Sequence, residues 1–274
     1  VPLTLPRAQT ARSVVVVGGG PAGLKAALTA AQRGHQVTLV EQSGALGGLM
    51  IPASVGAFKE DLRRYLSYLR RQVEKSQIHV MLHTRADRAL LEYLHPDAVI
   101  LAVGGRAVMP PVPGLGTSGA VQAVALLNAG LETAGTRVTI LGGGSIGCEL
   151  ALELAALDRM VTVVELRDKL AANGNELYRQ DLMLHLEQET RITILTQTVC
   201  TGVTAQGCTV REKDGGTRVI PHDTFVIAAG LRADADAVEA LYGVVPETYY
   251  VGDCKRAASI TEATTEAYFL GASL

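Results

Sequence analysis

Two short glycine runs, each followed at the same interval by an acid, are the residues of this chain best suited to do chemistry. Gly18, Gly20 and Gly23 are spaced G-x-G-x-x-G, with Pro21 and Ala22 inside the run, and Glu41 follows. In such a turn the first glycine allows a sharp bend from strand to helix, the second lets the backbone approach a pyrophosphate, and the third lets helix and strand pack closely. The helix that starts there offers orphan N–H donors and the positive end of its dipole to phosphate oxygens. An acid at the end of the next strand accepts from ribose hydroxyls. Gly142, Gly144 and Gly147, with Ser145 and Ile146 between them, repeat the spacing, and Glu165 stands the same 23 positions beyond its first glycine as Glu41 does. One such run is a weak signal met in many plain turns; two with an identical interval imply two dinucleotide sites. At the second, a carboxylate would repel a 2′-phosphate, so Glu165 favours NADH over NADPH. Arg167 could reach a phosphate from two residues on, although a solvated loop charge is the plainer reading. Glu149, in the first helical turn, is an acid that the helix dipole alone would favour. No residue is assigned a catalytic role, because such cofactor chemistry depends on orientation rather than on a protein nucleophile or acid.

The elements that must position these groups are legible around them. A strand over residues 14–17, a helix over 24–33 and a strand over 37–40 make one βαβ unit; 138–141, a helix to about 157 and 161–164 make the second. Between them, residues 58–76 read as an amphipathic helix, 78–82 as a strand, and 98–103 as a buried strand entering the turn Gly104-Gly105, with its counterpart at 225–230. Pro110, Pro111 and Pro113 break any regular element, so the chain crosses between domains near residue 109. A short strand and turn at 249–253 and a helix at 260–270 return to the first domain. The expectation is an α/β chain of two Rossmann-like dinucleotide-binding domains, the second inserted in the first: a linker over 1–13, one domain over 14–108 and 230–274, another over 109–229.

Composition narrows the class further. Apolar residues make up 48% of 274, and 29 glycines suit short parallel strands joined by tight turns. A net charge of −2 with scattered Lys and Arg offers no footprint for nucleic acid or an anionic membrane, and no apolar stretch is long enough to span a bilayer. These features point to a cytoplasmic protein with small-molecule partners. Cys148, Cys200, Cys208 and Cys254 stand far apart, with no CxxC and no cluster-ligand run, and read as small buried apolar side chains. No metal site is expected. The chain opens on Val1 with an unpatterned stretch, as a fragment or a processed chain would.

The run GGGPAG, the segment LGGLMIPASVGAFKEDL over residues 46–62, LGGGSIGCE over 141–149 and the ending YVGDC over 250–254 make the chain resemble the C-terminal half of 2-enoate reductases. These belong to the old yellow enzyme group that includes 2,4-dienoyl-CoA reductase and trimethylamine dehydrogenase. The resemblance implies that Gly18, Gly20, Gly23, Glu41, Gly47 and Gly48 bind FAD, that Asp253, after Gly252, bonds its ribityl chain, and that Gly104 forms the turn between nucleotide domains. It also implies NADH as reductant and an electron acceptor bearing FMN and, in relatives, an iron–sulfur cluster, on a domain or subunit outside this chain. Two other readings stay open: a non-catalytic nucleotide-binding module holding ADP, and a pyridine-nucleotide disulfide reductase, against which the missing CxxC counts.

Overall fold

The computed structural model describes residues 5–56, 58–172 and 174–274. Their contacts divide the chain into two compact units: the described residues of Val1–Ser54, Lys59–Arg106 and Leu231–Leu274 form unit 1, and those of Val55–Phe58 and Ala107–Gly230 form unit 2.

Unit 1 begins with β1 (Ser13–Val17), α1 (Pro21–Gln32), β2 (Gln36–Val40), the single turn α2 (Met50–Ala53), α3 (Glu60–Glu74), β3 (His79–Met81), α4 (Arg88–Leu94), β4 (Ala98–Leu101) and β5 (Gly105–Ala107). Unit 2 contributes β6 (Val121–Gln122), α5 (Ala123–Ala129), β7 (Arg137–Leu141), α6 (Ser145–Ala156), β8 (Met160–Val164), α7 (Glu176–Gln188), β9 (Ile192–Leu195), β10 (Val199–Val203), β11 (Gly207–Arg211), β12 (Thr217–Pro221) and β13 (Thr224–Ile227). The chain returns to unit 1 through β14 (Leu231–Ala233), paired with β5, then α8 (Ala235–Glu239), β15 (Thr248–Tyr250) and α9 (Ile260–Ser273).

The sheet of unit 1 runs β15-β4-β1-β2-β3 with every pairing parallel. Its centre is set by the valines of β1, whose branched side chains suit a strand covered on both faces. Val14 and Val16 pack on one side with Leu24, Leu39 and Leu69; Val15 and Val17 pack on the other with Leu91, Val99 and Leu241. Small residues let α9 lie close on α1: a Cβ on Gly271 would sit 3.0 Å from the Ala26 carbonyl, and Ala263 and Ala267 are buried beside it.

The sheet of unit 2 runs β6-β13-β7-β8-β9, also parallel. Val138, Ile140 and Val163 face α6 and α7, whereas Val164, Phe225 and Ile227 face Cys208, Val210 and Ile220 of an antiparallel β10-β11-β12 layer. The α/β class with two Rossmann-like units, one inserted in the other, is the fold expected from the sequence.

Several details differ from that reading. The helix expected over 58–76 is shorter, Glu60–Glu74. Of the segment 1–13, residues 1–4 lie outside the described residues; beyond them Ala8 N–H donates to the Arg33 carbonyl at 2.8 Å, Arg12 pairs with Glu247 at 2.6 Å, and Ser13 already belongs to β1. The antiparallel layer has no counterpart in the sequence reading, although Asp214-Gly215-Gly216, with Gly215 at φ +88°, is an ordinary hairpin signal. Antiparallel pairing of Cys200 with Val210 and of Val203 with Cys208 places these two cysteines on neighbouring strands of that layer.

Candidate functional site

Each unit builds a concave turn at the start of its first helix, and the two turns match residue by residue. Gly18 has φ +106°, and a Cβ there would meet the Ala102 carbonyl oxygen of the neighbouring strand at 2.3 Å; one on Gly23 would meet the Gly18 carbonyl oxygen at 1.8 Å. In unit 2, Gly142 has φ +112°, and a Cβ there would meet the Ala228 carbonyl oxygen at 2.4 Å; one on Gly147 would meet the Gly142 carbonyl oxygen at 2.0 Å. These glycines are required by the chain itself.

The second glycine of each run is different. Gly20, at φ −72° and ψ −178°, and Gly144, at φ −67° and ψ 177°, have ordinary extended backbones, and a Cβ on either would meet nothing within 4 Å. Gly116, also without positive φ, is equally open. Both are helix N-caps without a side-chain cap, whereas α4, α7, α8 and α9 are capped by Asp87, Asn175, Asp234 and Ser259. Pro21 follows Gly20 at the first helical position, where its missing N–H costs nothing. Ser145 takes that place in unit 2, followed by Ile146, 38% exposed.

The two carboxylates clamp the turns. Gly19 N–H donates to Glu41 Oε2 at 2.7 Å and Ser43 N–H to Glu41 Oε1 at 2.7 Å. Gly143 N–H donates to Glu165 Oε2 at 2.6 Å and Arg167 N–H to Glu165 Oε1 at 2.8 Å. Each acid therefore organises the backbone through both of its carboxylate oxygens. Glu41 is buried; Glu165 is part-exposed, and the Arg167 side chain is exposed.

A leucine closes each turn from above, a contact the sequence reading missed. The Cβ position of Gly19 is 2.7 Å from Leu46 Cδ2, and that of Gly143 is 2.3 Å from Leu170 Cδ2. Gly47 N–H then donates to the Gly19 carbonyl at 2.7 Å, and Ala171 N–H to the Gly143 carbonyl at 2.8 Å. A signal existed: Leu46 and Leu170 each stand five residues beyond the acid. Gly48, at φ +52°, is placed so that a Cβ would lie 2.9 Å from the Gly20 Cα.

Unit 1 adds residues from the returning segment. Gly252, at φ +73°, lies against the first turn of α1, where a Cβ would meet Ala22 Cβ at 2.8 Å. Asp253 sits 3.4 Å from the Cβ position of Gly105, beside the turn that includes Gly104 at φ +79°. Burial holds its carboxyl above the usual range, offset in part by the Ala258 N–H donated to it at 3.2 Å. In unit 2 the Tyr178 hydroxyl donates to Glu149, and burial together with that bond raises the tyrosine well above its ordinary value.

All four cysteines are buried free thiols. Burial, reinforced by Glu165 and Glu149, pushes Cys148 up to about 12, and burial also raises Cys254. A thiol held protonated is a poor nucleophile. Among the described residues no helix is long and apolar enough to cross a membrane.

The family model described as pyridine nucleotide-disulphide oxidoreductase matches residues 12–267. The chain belongs to that family. The family's FAD and NAD(P)H find here two uncapped helix N-termini behind a glycine with an empty Cβ position, the form a pyrophosphate requires. Among its relatives, bilirubin reductase of Mediterraneibacter gnavus is 34% identical over 94% of this chain and 40% of its own length. Cinnamate reductase of Clostridium sporogenes is 29% identical over 96% of this chain and 39% of its own. The solved 2-naphthoyl-CoA reductase, in complex with 2-naphthoyl-CoA, superposes with TM-score 0.94 at 25% identity, covering 98% of this chain and 41% of that one. The chain spans about two-fifths of the length of these relatives.

Proposed function

We propose that unit 1 binds FAD at the N-terminus of α1, that unit 2 binds NADH at the N-terminus of α6, and that the chain is the electron-entry module of a larger reductase. The acceptor lies outside this chain, on a domain or subunit bearing FMN and an iron–sulfur cluster. The observation that carries this reading is the pair Gly20 and Gly144: the fold gives neither a reason to lack a side chain, while a pyrophosphate seated on the helix N-terminus does.

FAD, when bound, supplies a centre that accepts a hydride and passes electrons onward. The protein's part is binding and orientation. Gly18, Gly20, Pro21, Ala22 and Gly23 shape the pyrophosphate turn, Glu41 fixes it and faces the adenosine ribose, Gly47 and Gly48 bring a second backbone stretch to it, and Gly104, Gly252 and Asp253 receive the ribityl end. Gly142, Gly144, Ser145, Ile146 and Gly147 play the first part for the nicotinamide dinucleotide. Glu165, already accepting two backbone N–H bonds, disfavours a further negative group. NADH is therefore preferred to NADPH by about ten- to a hundredfold, the worth of one charged hydrogen bond.

The test is the absorbance of the pure protein before and after anaerobic NADH, followed by stopped-flow reduction with NADH and NADPH. Flavin absorbance bleached faster by NADH is expected. A colourless protein carrying ADP would mean a nucleotide-binding module instead, and faster reduction by NADPH would transfer the ribose site from Glu165 to Arg167.

A further inference from the structure

Each nucleotide turn is held by a third-party cation that neither glycine motif contains. In unit 1, Arg70 on α3 donates from Nε to the Leu46 carbonyl at 2.8 Å; in unit 2, Arg179 on α7 donates from Nε to the Leu170 carbonyl at 2.9 Å. The two leucines are the ones that cover Gly19 and Gly143, and the residue after each donates its N–H to the same glycine's carbonyl. Arg70 also lies against the next residue, its Nη2 3.4 Å from the Cβ position of Gly47. Both arginines are part-buried; Arg179 has a side-chain exposure of 22%.

We propose that Arg70 and Arg179 are positioning residues, one for each nucleotide, acting through the loop that closes the glycine turn. The inference rests on the FAD and NADH assignments above. Its warrant is duplication. The interval from Leu46 to Arg70 is longer than that from Leu170 to Arg179, and the arginine stands in the second half of α3 but in the first turn of α7, yet the same guanidinium nitrogen reaches the equivalent carbonyl in both units. A carbonyl in a surface loop is ordinarily satisfied by water, so a fixed, charge-assisted donor adds order rather than mere satisfaction. The acid and the loop together fix the central glycine on three sides: Glu41 or Glu165 accepts from its N–H, the loop N–H donates to its carbonyl, and the leucine covers its Cβ position. Releasing the loop leaves the helix N-terminus intact but lets the turn drift from the geometry a pyrophosphate needs.

The experiment uses the full chain with Arg70→Met, Arg179→Met and the corresponding Lys variants, titrating FAD into flavin-stripped protein and NAD+ into each. Arg70→Met should weaken FAD about ten- to a hundredfold and leave NAD+ within about twofold. Arg179→Met should leave FAD unchanged and raise the KM for NADH by a similar factor, with the flavin reduction rate at saturation unaltered. Lysine, which keeps the charge but not the planar fork, should restore part of each loss. Equal losses at both sites in either variant, or no change at the matching site, overturns the inference. Should a Met variant fail to fold, its Lys variant decides by the same selectivity. Wild-type protein that takes up no FAD overturns the functional reading and this inference together; wild-type binding with an indifferent Arg70→Met overturns this inference alone.

Discussion

Between β3 and β4 unit 1 places the helix α4, which covers its sheet through Leu91, whereas unit 2 fills the equivalent stretch between β9 and β13 with the antiparallel strands β10–β12, packed through Cys208 and Val210. Around the glycine turn the same two units share their backbone and carboxylate bonds: Glu41 and Glu165, Leu46 and Leu170, Gly47 and Ala171 and the first glycines all recur 124 positions apart. The contrast separates two kinds of constraint. A sheet face needs only apolar cover, which a helix or a second sheet supplies equally. A strand-to-helix turn that must leave its N–H groups open has few solutions, and both units use one. Where the turns do differ, the change is one of chemistry: Ser43 opposite Arg167, Gly47 opposite Ala171, and a returning Gly252-Asp253 in unit 1.

The comparison can be broken most severely at the glycines that the backbone itself demands. Gly23→Ala and Gly147→Ala each drive a methyl into a carbonyl oxygen, at 1.8 and 2.0 Å, and each should cost its own unit about 3 kcal/mol or more in chemical denaturation. Gly20→Val and Gly144→Val should do the reverse. Their Cβ positions are empty, so far-UV circular dichroism and melting should stay close to wild type while flavin content falls in the first and NAD+ binding in the second, each about a hundredfold. A Gly20→Val chain that purifies with full flavin would remove the assignment of that turn.

The next effect tests a place where the units differ. Gly47 stands at φ +134° with Leu66 Cδ1 2.8 Å from its Cβ position, whereas Ala171, at φ +47°, already carries a methyl. Gly47→Ala should therefore destabilise by about 1–3 kcal/mol, and Ala171→Gly by much less. Equal effects would show that the two loops are interchangeable.

The smallest expected effect is the pH dependence that Asp253 contributes to unit 1. Asp253 is raised by burial above its ordinary 3.8, so the folded chain binds its proton more tightly than the unfolded one. The stability this group contributes is present below the unfolded value and is lost as pH rises through the folded one. Flavin-free Asp253→Asn should be more stable than wild type at neutral pH, and the difference should vanish in acid. Denaturation from about pH 3 to about pH 7 checks it, and a difference that grows in acid would contradict the sign.

How much of this was legible beforehand follows from the range of the forces involved. The glycine runs, their acids and the valine strands are local patterns, fixed by steric exclusion at the turn and by side-chain alternation, so sequence alone determined two Rossmann-like units and the candidate residues of each. The antiparallel layer of unit 2 escaped because its strands are short and polar on one face, and only burial against Val164, Phe225 and Ile227 gives them a reason to form. The meeting of Gly252 with Ala22, and of Arg70 and Arg179 with the leucine carbonyls, joins residues whose separation in the chain carries no period and no motif. Those contacts were decided only by tertiary structure, because a part-buried guanidinium or carboxyl settles on whichever partner packing brings within hydrogen-bond reach.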